Sequence, residues 1–235
     1  MNMPKIIAHR GASANAPENT LAAFQLAQEH KADGIELDVM LSADGQVVVF
    51  HDFTVDRMTN GSGRVKDLTL AQLKQFDLGD GEKVPTLEEV FERFGGEIFL
   101  NIELKNYTSN FDALPIKVAD LVRNFGLDGL VMISTFNPFN LVRYHSKLPE
   151  TVLGLITMPG KANSWIWRMF NFDCLHPYFS DVDEELVSNL HTHLREINVW
   201  TVDESEEILR VAGLNVDGII TNDPLHARQI LEARA

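Results

Sequence analysis

Short apolar or β-branched runs alternate with helix-sized amphipathic segments along the whole chain, and this rhythm limits the possible folds more than any other feature. Strand signals fall at 5–9, 34–39, 98–105, 130–135, 152–157, 174–176, 199–202 and 218–221. Between them, Asn19 is the expected N-cap of a helix reaching about His30, and Thr86 is the expected N-cap of a helix reaching Phe94. Further helices are expected over 116–125, 139–146, a segment carrying Leu186, Leu190 and Leu194, and 205–212, while Pro224 opens a terminal helix. Eight strand-helix units at about 30 residues each predict a (β/α)8 TIM barrel, an α/β fold formed by one domain over 1–235. An open doubly wound sheet is the alternative, but no Gly-x-Gly-x-x-Gly follows the first strand.

One stretch breaks the rhythm. After the second strand comes an Asp44-Gly45 turn and the run 47–50, and then residues 52–85 are rich in turns with at most one short helix. This segment is expected to be a small insertion.

Charge and cysteine content exclude several classes. The net charge of -14 disfavours nucleic acid and anionic membrane surfaces, and a single cysteine, Cys174, allows no internal disulfide or thiolate metal cluster. No apolar stretch approaches the ~20 residues of a membrane span, and residues 1–7 run directly into a strand without room for a signal peptide. The expected location is the cytoplasm.

Barrel chemistry belongs at the C-terminal ends of the strands, and the ionisable strand residues gather there. His9 and Arg10 end the first strand, and His51 ends the run after the second. Glu36 and Asp38 stand two apart on one face, with Ile35, Leu37 and Val39 packing the other way. Glu103 and Lys105 repeat that spacing, while Trp200, Thr201 and the run 221–223 fall late in the chain. Each has an ordinary explanation alone, since a strand histidine is more often structural and Glu103 with Lys105 could be a surface pair. Their joint placement on one rim favours function.

Three carboxylates without clustered thiols offer hard oxygen ligands suited to Mg²⁺ or Ca²⁺. Histidine, with a reference pKa near ~6.5, can take or give a proton at neutral pH. Arg10 and Lys105 supply positive charge for an anion, phosphate above all. Together these residues describe cleavage of a phosphodiester.

The blocks Ala8-His9-Arg10-Gly11-Ala12-Ser13, Pro17-Glu18-Asn19-Thr20, Glu36-Leu37-Asp38-Val39, Ser42-Ala43-Asp44-Gly45, His51-Asp52, Pro85-Thr86-Leu87, Glu103-Leu104-Lys105, His176-Pro177, Val199-Trp200-Thr201 and Asp217-Gly218-Ile219-Ile220-Thr221 occur in that order. Over nearly its whole length the sequence resembles the glycerophosphodiester phosphodiesterase family. The resemblance implies a (β/α)8 barrel with residues 52–85 capping its mouth. It also implies hydrolysis of a small glycerophosphodiester to sn-glycerol 3-phosphate and an alcohol, by way of a cyclic phosphate formed by the glycerol 2-hydroxyl. By position, it assigns Glu36, Asp38 and Glu103 to one divalent cation, Mg²⁺ or Ca²⁺. His9 and His51 become the acid/base pair, and Arg10, Lys105 and Trp200 substrate-binding residues. Two other functions are weighed beside it: a lysophospholipase D-type phosphodiesterase, and a non-catalytic barrel that binds glycerophosphate ligands.

Two features depart from the family pattern. Met58 stands where many relatives carry a second threonine, and residues 160–172, with Trp165, Trp167 and Phe170, match no recognised block. Those aromatics suit packing or an oligomer interface, with a headgroup pocket as the alternative. His191 and His193 face different directions on one helix and form no joint metal site. His30, His145 and His226 are expected in solvent, Cys174 in the core, and His176 is given no role.

Overall fold

The computed structural model describes residues 3–106 and 111–234, so Met1 and Asn2 of the expected N-terminal run lie outside it. Among the described residues nine strands form one sheet: β1 (Lys5–His9), β2 (Gly34–Leu41), β3 (Val47–Val49), β4 (Phe99–Leu104), β5 (Val131–Thr135), β6 (Val152–Ile156), β7 (Cys174–His176), β8 (Glu196–Val199) and β9 (Gly218–Thr221). Eight of them are parallel and run in the order β1-β9-β8-β7-β6-β5-β4-β2, and pairing of β1 with β2 closes the ring. β3 lies outside the ring, antiparallel to β2 with Val39 opposite Val49. The predicted TIM barrel is therefore the fold.

Helices α1 (Leu21–Glu29), α3 (Leu87–Phe94), α4 (Leu114–Asn124), α5 (Pro138–His145), α6 (Glu184–Thr192), α7 (Ser205–Gly213) and α8 (Pro224–Arg234) alternate with the barrel strands, and α2 (Leu70–Leu73) is a single turn. Their starts follow capping chemistry. The Thr86 hydroxyl accepts the Glu89 N–H at 3.1 Å while Glu89 accepts the Thr86 N–H at 2.7 Å, and Asp183 accepts the Leu186 N–H at 2.8 Å. The core lies between strands and helices, where Ile35, Leu37 and Val39 meet Phe24, Val90 and Phe94 in one cluster, with Phe24 and Phe94 edge to face at 5.9 Å. A second, smaller cluster joins Val48 and Phe50 to Val55, Val65, Leu73 and Val84 of the 52–85 segment. Met58 packs on it.

Several boundaries differ from expectation for identifiable reasons. Thr20, not Asn19, caps α1, its hydroxyl accepting the Ala23 N–H at 3.2 Å, because Asn19 is committed to Asp38. The seventh barrel strand begins at Glu196 and ends at Val199 rather than spanning 199–202: its pairing with β9 covers Asn198 and Val199, and Trp200 forms an isolated bridge to Tyr178. α6 stops at Thr192, and Leu194 sits at φ 56 with 94% exposure, off the apolar face assigned to it. After β6 the chain forms only a 3-10 turn at Trp165–Met169 where a helix would stand. No helix among the described residues is long and apolar enough to cross a membrane.

Candidate active site

Parallel pairing brings the charged residues together. β1 and β2 align His9 with Glu36, and β2 and β4 align Glu36 with Asn101 and Asp38 with Glu103. Because the side-chain period of a strand is two, the apolar partners of these residues face the helices and the polar ones face the barrel interior. A cavity of about 700 Å³ opens there, lined by His9, Arg10, Glu36, His51, Glu103, Lys105 and Trp200 among others. Asp38, 1% exposed, lies beside this group. All eight predicted site residues thus belong to one neighbourhood.

Glu36, Asp38 and Glu103 each place a carboxylate oxygen within 4.8 Å of the others, and all three are buried. Burial drives the Glu36 carboxyl well above its ordinary 4.5, and the like charges of Asp38 and Glu103 add to the shift. Burial works the same way on Asp38, but Lys105 and Arg10 outweigh it and hold that carboxyl at about 2. Lys105 Nζ lies 3.1 Å from Glu103 and 3.5 Å from Asp38, and Arg10 Nε lies 3.4 Å from Asp38. Arg10 has φ 56, an uncommon conformation for a non-glycine residue, and its backbone N–H donates to Glu36 at 3.0 Å while its guanidinium reaches Glu18 at 2.8 Å. Lys105 and Arg10 are thus the two cations set against the three buried carboxylates, and Arg10 is shared with Glu18. The donor set of the three, all hard oxygens packed in a buried pocket, fits a divalent cation.

The two histidines are each held at Nδ1. His9 lies 2.7 Å from Asn222 Oδ1, and His51 lies 2.7 Å from Asp52 Oδ1. Burial, reinforced by the neighbouring Arg10 charge, lowers His9 to about 4, so its ring is neutral near pH 7. Asp52 in turn accepts from Arg57 at 2.5 and 3.1 Å, and that hydrogen bonding holds its carboxyl at about 2. Arg57 also donates to Glu18 at 2.8 Å, tying the 52–85 segment to the loop after β1.

Trp200 stands on the cavity wall, its Nε1–H donating to the His176 carbonyl at 2.8 Å and its ring edge-on to Phe136 at 5.6 Å. Phe53, Ile156 and Met158 extend this apolar side. His176, without an expected role, lines the cavity and is fully buried, which lowers it to about 3. Among the described residues, none from 160–172 lines this cavity: Trp165 is exposed, Trp167 packs on the core and Phe170 meets Phe139. His191 pairs with Asp217 at 2.9 Å and His193 with the Asn189 carbonyl at 2.7 Å, so the two point to different partners. Contrary to expectation, His30, His145 and His226 are only partly exposed; His226 bonds Ser205 at 3.0 Å. Cys174 is buried as expected.

Sequence reasoning missed the residues that orient the others. Asn19 is expected as a helix cap, Glu18 stands in a recognised block and Asn222 in the run 221–223 without an assigned role, and Asp203 and Arg57 are given none. Their orienting roles follow from contacts in the fold, such as that between His9 and Asn222, 213 residues apart.

Comparison with known proteins agrees with this geometry. Residues 9–226 match the model of the glycerophosphoryl diester phosphodiesterase family. A glycerophosphodiester phosphodiesterase of Caldanaerobacter subterraneus subsp. tengcongensis is 42% identical over 229 residues, covering 93% of this chain and 94% of the relative. An Oleispira antarctica phosphodiesterase, solved in complex with the product sn-glycerol-3-phosphate, superposes with a TM-score of 0.91 at 29% identity, covering 98% of this chain and 97% of the other. A glycerophosphodiester phosphodiesterase of Agrobacterium tumefaciens superposes with a TM-score of 0.84 at 32% identity, covering 96% and 100%. The chain belongs to the glycerophosphoryl diester phosphodiesterase family and is an enzyme of that phosphodiester-hydrolase class.

Proposed function

We propose that the chain hydrolyses small glycerophosphodiesters to sn-glycerol 3-phosphate and an alcohol, with a divalent cation, Mg²⁺ or Ca²⁺, held by Glu36, Asp38 and Glu103. The observation that carries this reading is the convergence of His9, His51, Glu36, Glu103, Arg10 and Lys105 on one cavity, with Asp38 clustered beside Glu36 and Glu103. When bound, the cation supplies positive charge that polarises a phosphoryl oxygen and acidifies an attacking hydroxyl. Arg10 and Lys105 attract and orient the phosphodiester anion. His9 and His51, each engaged at Nδ1, keep Nε2 for proton transfer, one removing the proton of the nucleophile and the other protonating the departing alkoxide. Trp200 and Phe136 wall the space for the alcohol group, excluding water from that side. The 52–85 segment acts as a cap within the same domain, contributing Phe53 and Thr54 to the cavity wall.

A second substrate reading has its own support. Phe53 and Met158 are 47% and 58% exposed beside the cavity and could receive an acyl chain, as a lysophospholipase D-type activity requires. A binding-only barrel has less support, because ligand capture needs no pair of proton-transfer groups.

The deciding experiment follows release of sn-glycerol 3-phosphate from glycerophosphocholine by purified protein treated with chelator, then resupplied with Mg²⁺ or Ca²⁺, with a long-chain lysophosphatidylcholine assayed in parallel. Metal-restored turnover of glycerophosphocholine is expected. Faster turnover of the lysolipid would transfer the assignment to the second reading, and binding without turnover would transfer it to the third.

A further inference from the structure

Asp203 lies in the connection between β8 and α7, and Asn222 follows the last residue of β9. Asp203 Oδ1 accepts from the Thr221 hydroxyl at 2.9 Å and from the Asn222 backbone N–H at 2.8 Å, while Asp203 Oδ2 accepts from Asn222 Nδ2 at 2.6 Å. An ionised carboxylate only accepts hydrogen bonds, so the amide nitrogen of Asn222 must face it. This leaves Asn222 Oδ1 turned toward His9 Nδ1, 2.7 Å away. The Ser13 hydroxyl also reaches Asn222 Oδ1 at 2.9 Å and the His9 carbonyl at 2.8 Å, and its single proton serves one acceptor at a time.

We propose that Asp203 and Asn222 are positioning residues that hold His9 as its Nδ1–H tautomer, reserving Nε2 for the reaction. The proposal rests on the role of His9 as a proton-transfer group. An amide oxygen cannot donate, so a 2.7 Å contact with it places a proton on Nδ1, and a neutral imidazole then carries its lone pair on Nε2. The orientation of the amide is set by the carboxylate behind it: the Thr221 hydroxyl and the Asn222 backbone N–H hold Asp203 in place, and the third bond, from Asn222 Nδ2, is lost if the amide flips. His51 is held differently, by Asp52 directly, so the two histidines do not share an orienting device.

A tie that merely joined the end of β9 to the loop after β8 would need only the bonds that the Thr221 hydroxyl and the Asn222 backbone N–H give to Asp203. The tautomer of His9 separates the two roles. Asp203→Asn retains size and shape but presents an amide, which can donate to Asn222 Oδ1 and so permit Asn222 Nδ2 to face His9. That arrangement favours Nε2–H and occupies the nitrogen the reaction needs. The double exchange D203N/N222D puts a carboxylate next to His9 and an amide behind it, restoring an acceptor at Nδ1.

Long-range proton–nitrogen NMR of the intact protein with labelled histidine reads the tautomer directly, and steady-state kinetics on glycerophosphocholine read its consequence. Wild type is expected to show Nδ1–H at His9. D203N should shift His9 toward Nε2–H and lower kcat by about 10²-fold with KM within about threefold, and the double exchange should return both the tautomer and most of the kcat. An Nε2–H wild type, or a D203N protein that keeps Nδ1–H and wild-type kcat, would overturn the proposal. If D203N does not fold, the double exchange decides: Nδ1–H supports the assignment and Nε2–H overturns it. A wild type with Nδ1–H but no turnover of any glycerophosphodiester would support the tautomer assignment while refuting the catalytic reading beneath it.

Discussion

Asn19 grips Asp38 at two points: its Nδ2 donates to Asp38 Oδ2 at 2.8 Å, and its Oδ1 accepts the Asp38 backbone N–H at 3.2 Å. Asn19 is buried and sits at φ 58, a region asparagine tolerates better than most residues. One side chain therefore sets both the rotamer of a candidate metal ligand and the path of the loop after β1. Asn19→Gly keeps that backbone available while deleting both bonds. Calorimetry should show divalent-ion affinity falling by about 10-fold or more, and unfolding should show about 1–3 kcal/mol lost. Unchanged affinity would confine Asn19 to a loop role.

Glu36 is expected to penalise the metal-free protein. Its carboxyl is raised above the ordinary 4.5 by burial and by the charges of Asp38 and Glu103. Between 4.5 and its folded value the native state binds more protons than the unfolded one, so metal-free stability should fall as pH rises through that interval. Glu36→Gln should flatten this dependence under chelator and should weaken divalent-ion binding. Equal pH slopes for the two proteins in chelator would show that the Glu36 charge is compensated from elsewhere.

The histidine pair makes the sharpest kinetic expectation. His9→Ala and His51→Ala should each lower kcat by about 10²-fold or more while circular dichroism and unfolding midpoints stay near wild type. Turnover near the wild-type rate would remove that residue from proton transfer.

His176 should make the protein acid-sensitive without taking part in metal binding. Burial lowers it from 6.5 to about 3, so as pH falls through that window the unfolded chain gains a proton that the folded one refuses. Stability is kept above 6.5 and lost toward 3, by on the order of 2 kcal/mol at about pH 5. His176→Gln should lose less Tm than wild type between about pH 7 and about pH 5. The same loss in both proteins would assign the acid sensitivity to other groups, His9 among them.

The barrel and much of its candidate site are legible in the sequence. Strand-helix alternation is a local property, and in a parallel barrel it suffices to predict which strand ends meet, so His9, Glu36, Asp38, His51 and Glu103 could be placed on one rim from spacing alone. Boundaries failed where a side chain had a distant obligation. Asn19 has the chemistry of an N-cap but is bound to Asp38, which left capping to Thr20, and Glu196-Ile197-Asn198-Val199 masks a buried strand behind polar alternate positions.

What the sequence determined by itself was the period of the fold and the identities of the reactive groups, because both are written in residue type and short-range spacing. Tertiary structure alone decided their chemical states. Only ring closure beside β9 gives His9 the Asn222 partner at Nδ1, and only packing of β1, β2 and β4 sets Asp38 beside two cations while Glu36 faces its like charges. Protonation and tautomer depend on burial and on neighbours across the barrel, and strand periodicity carries no information about either.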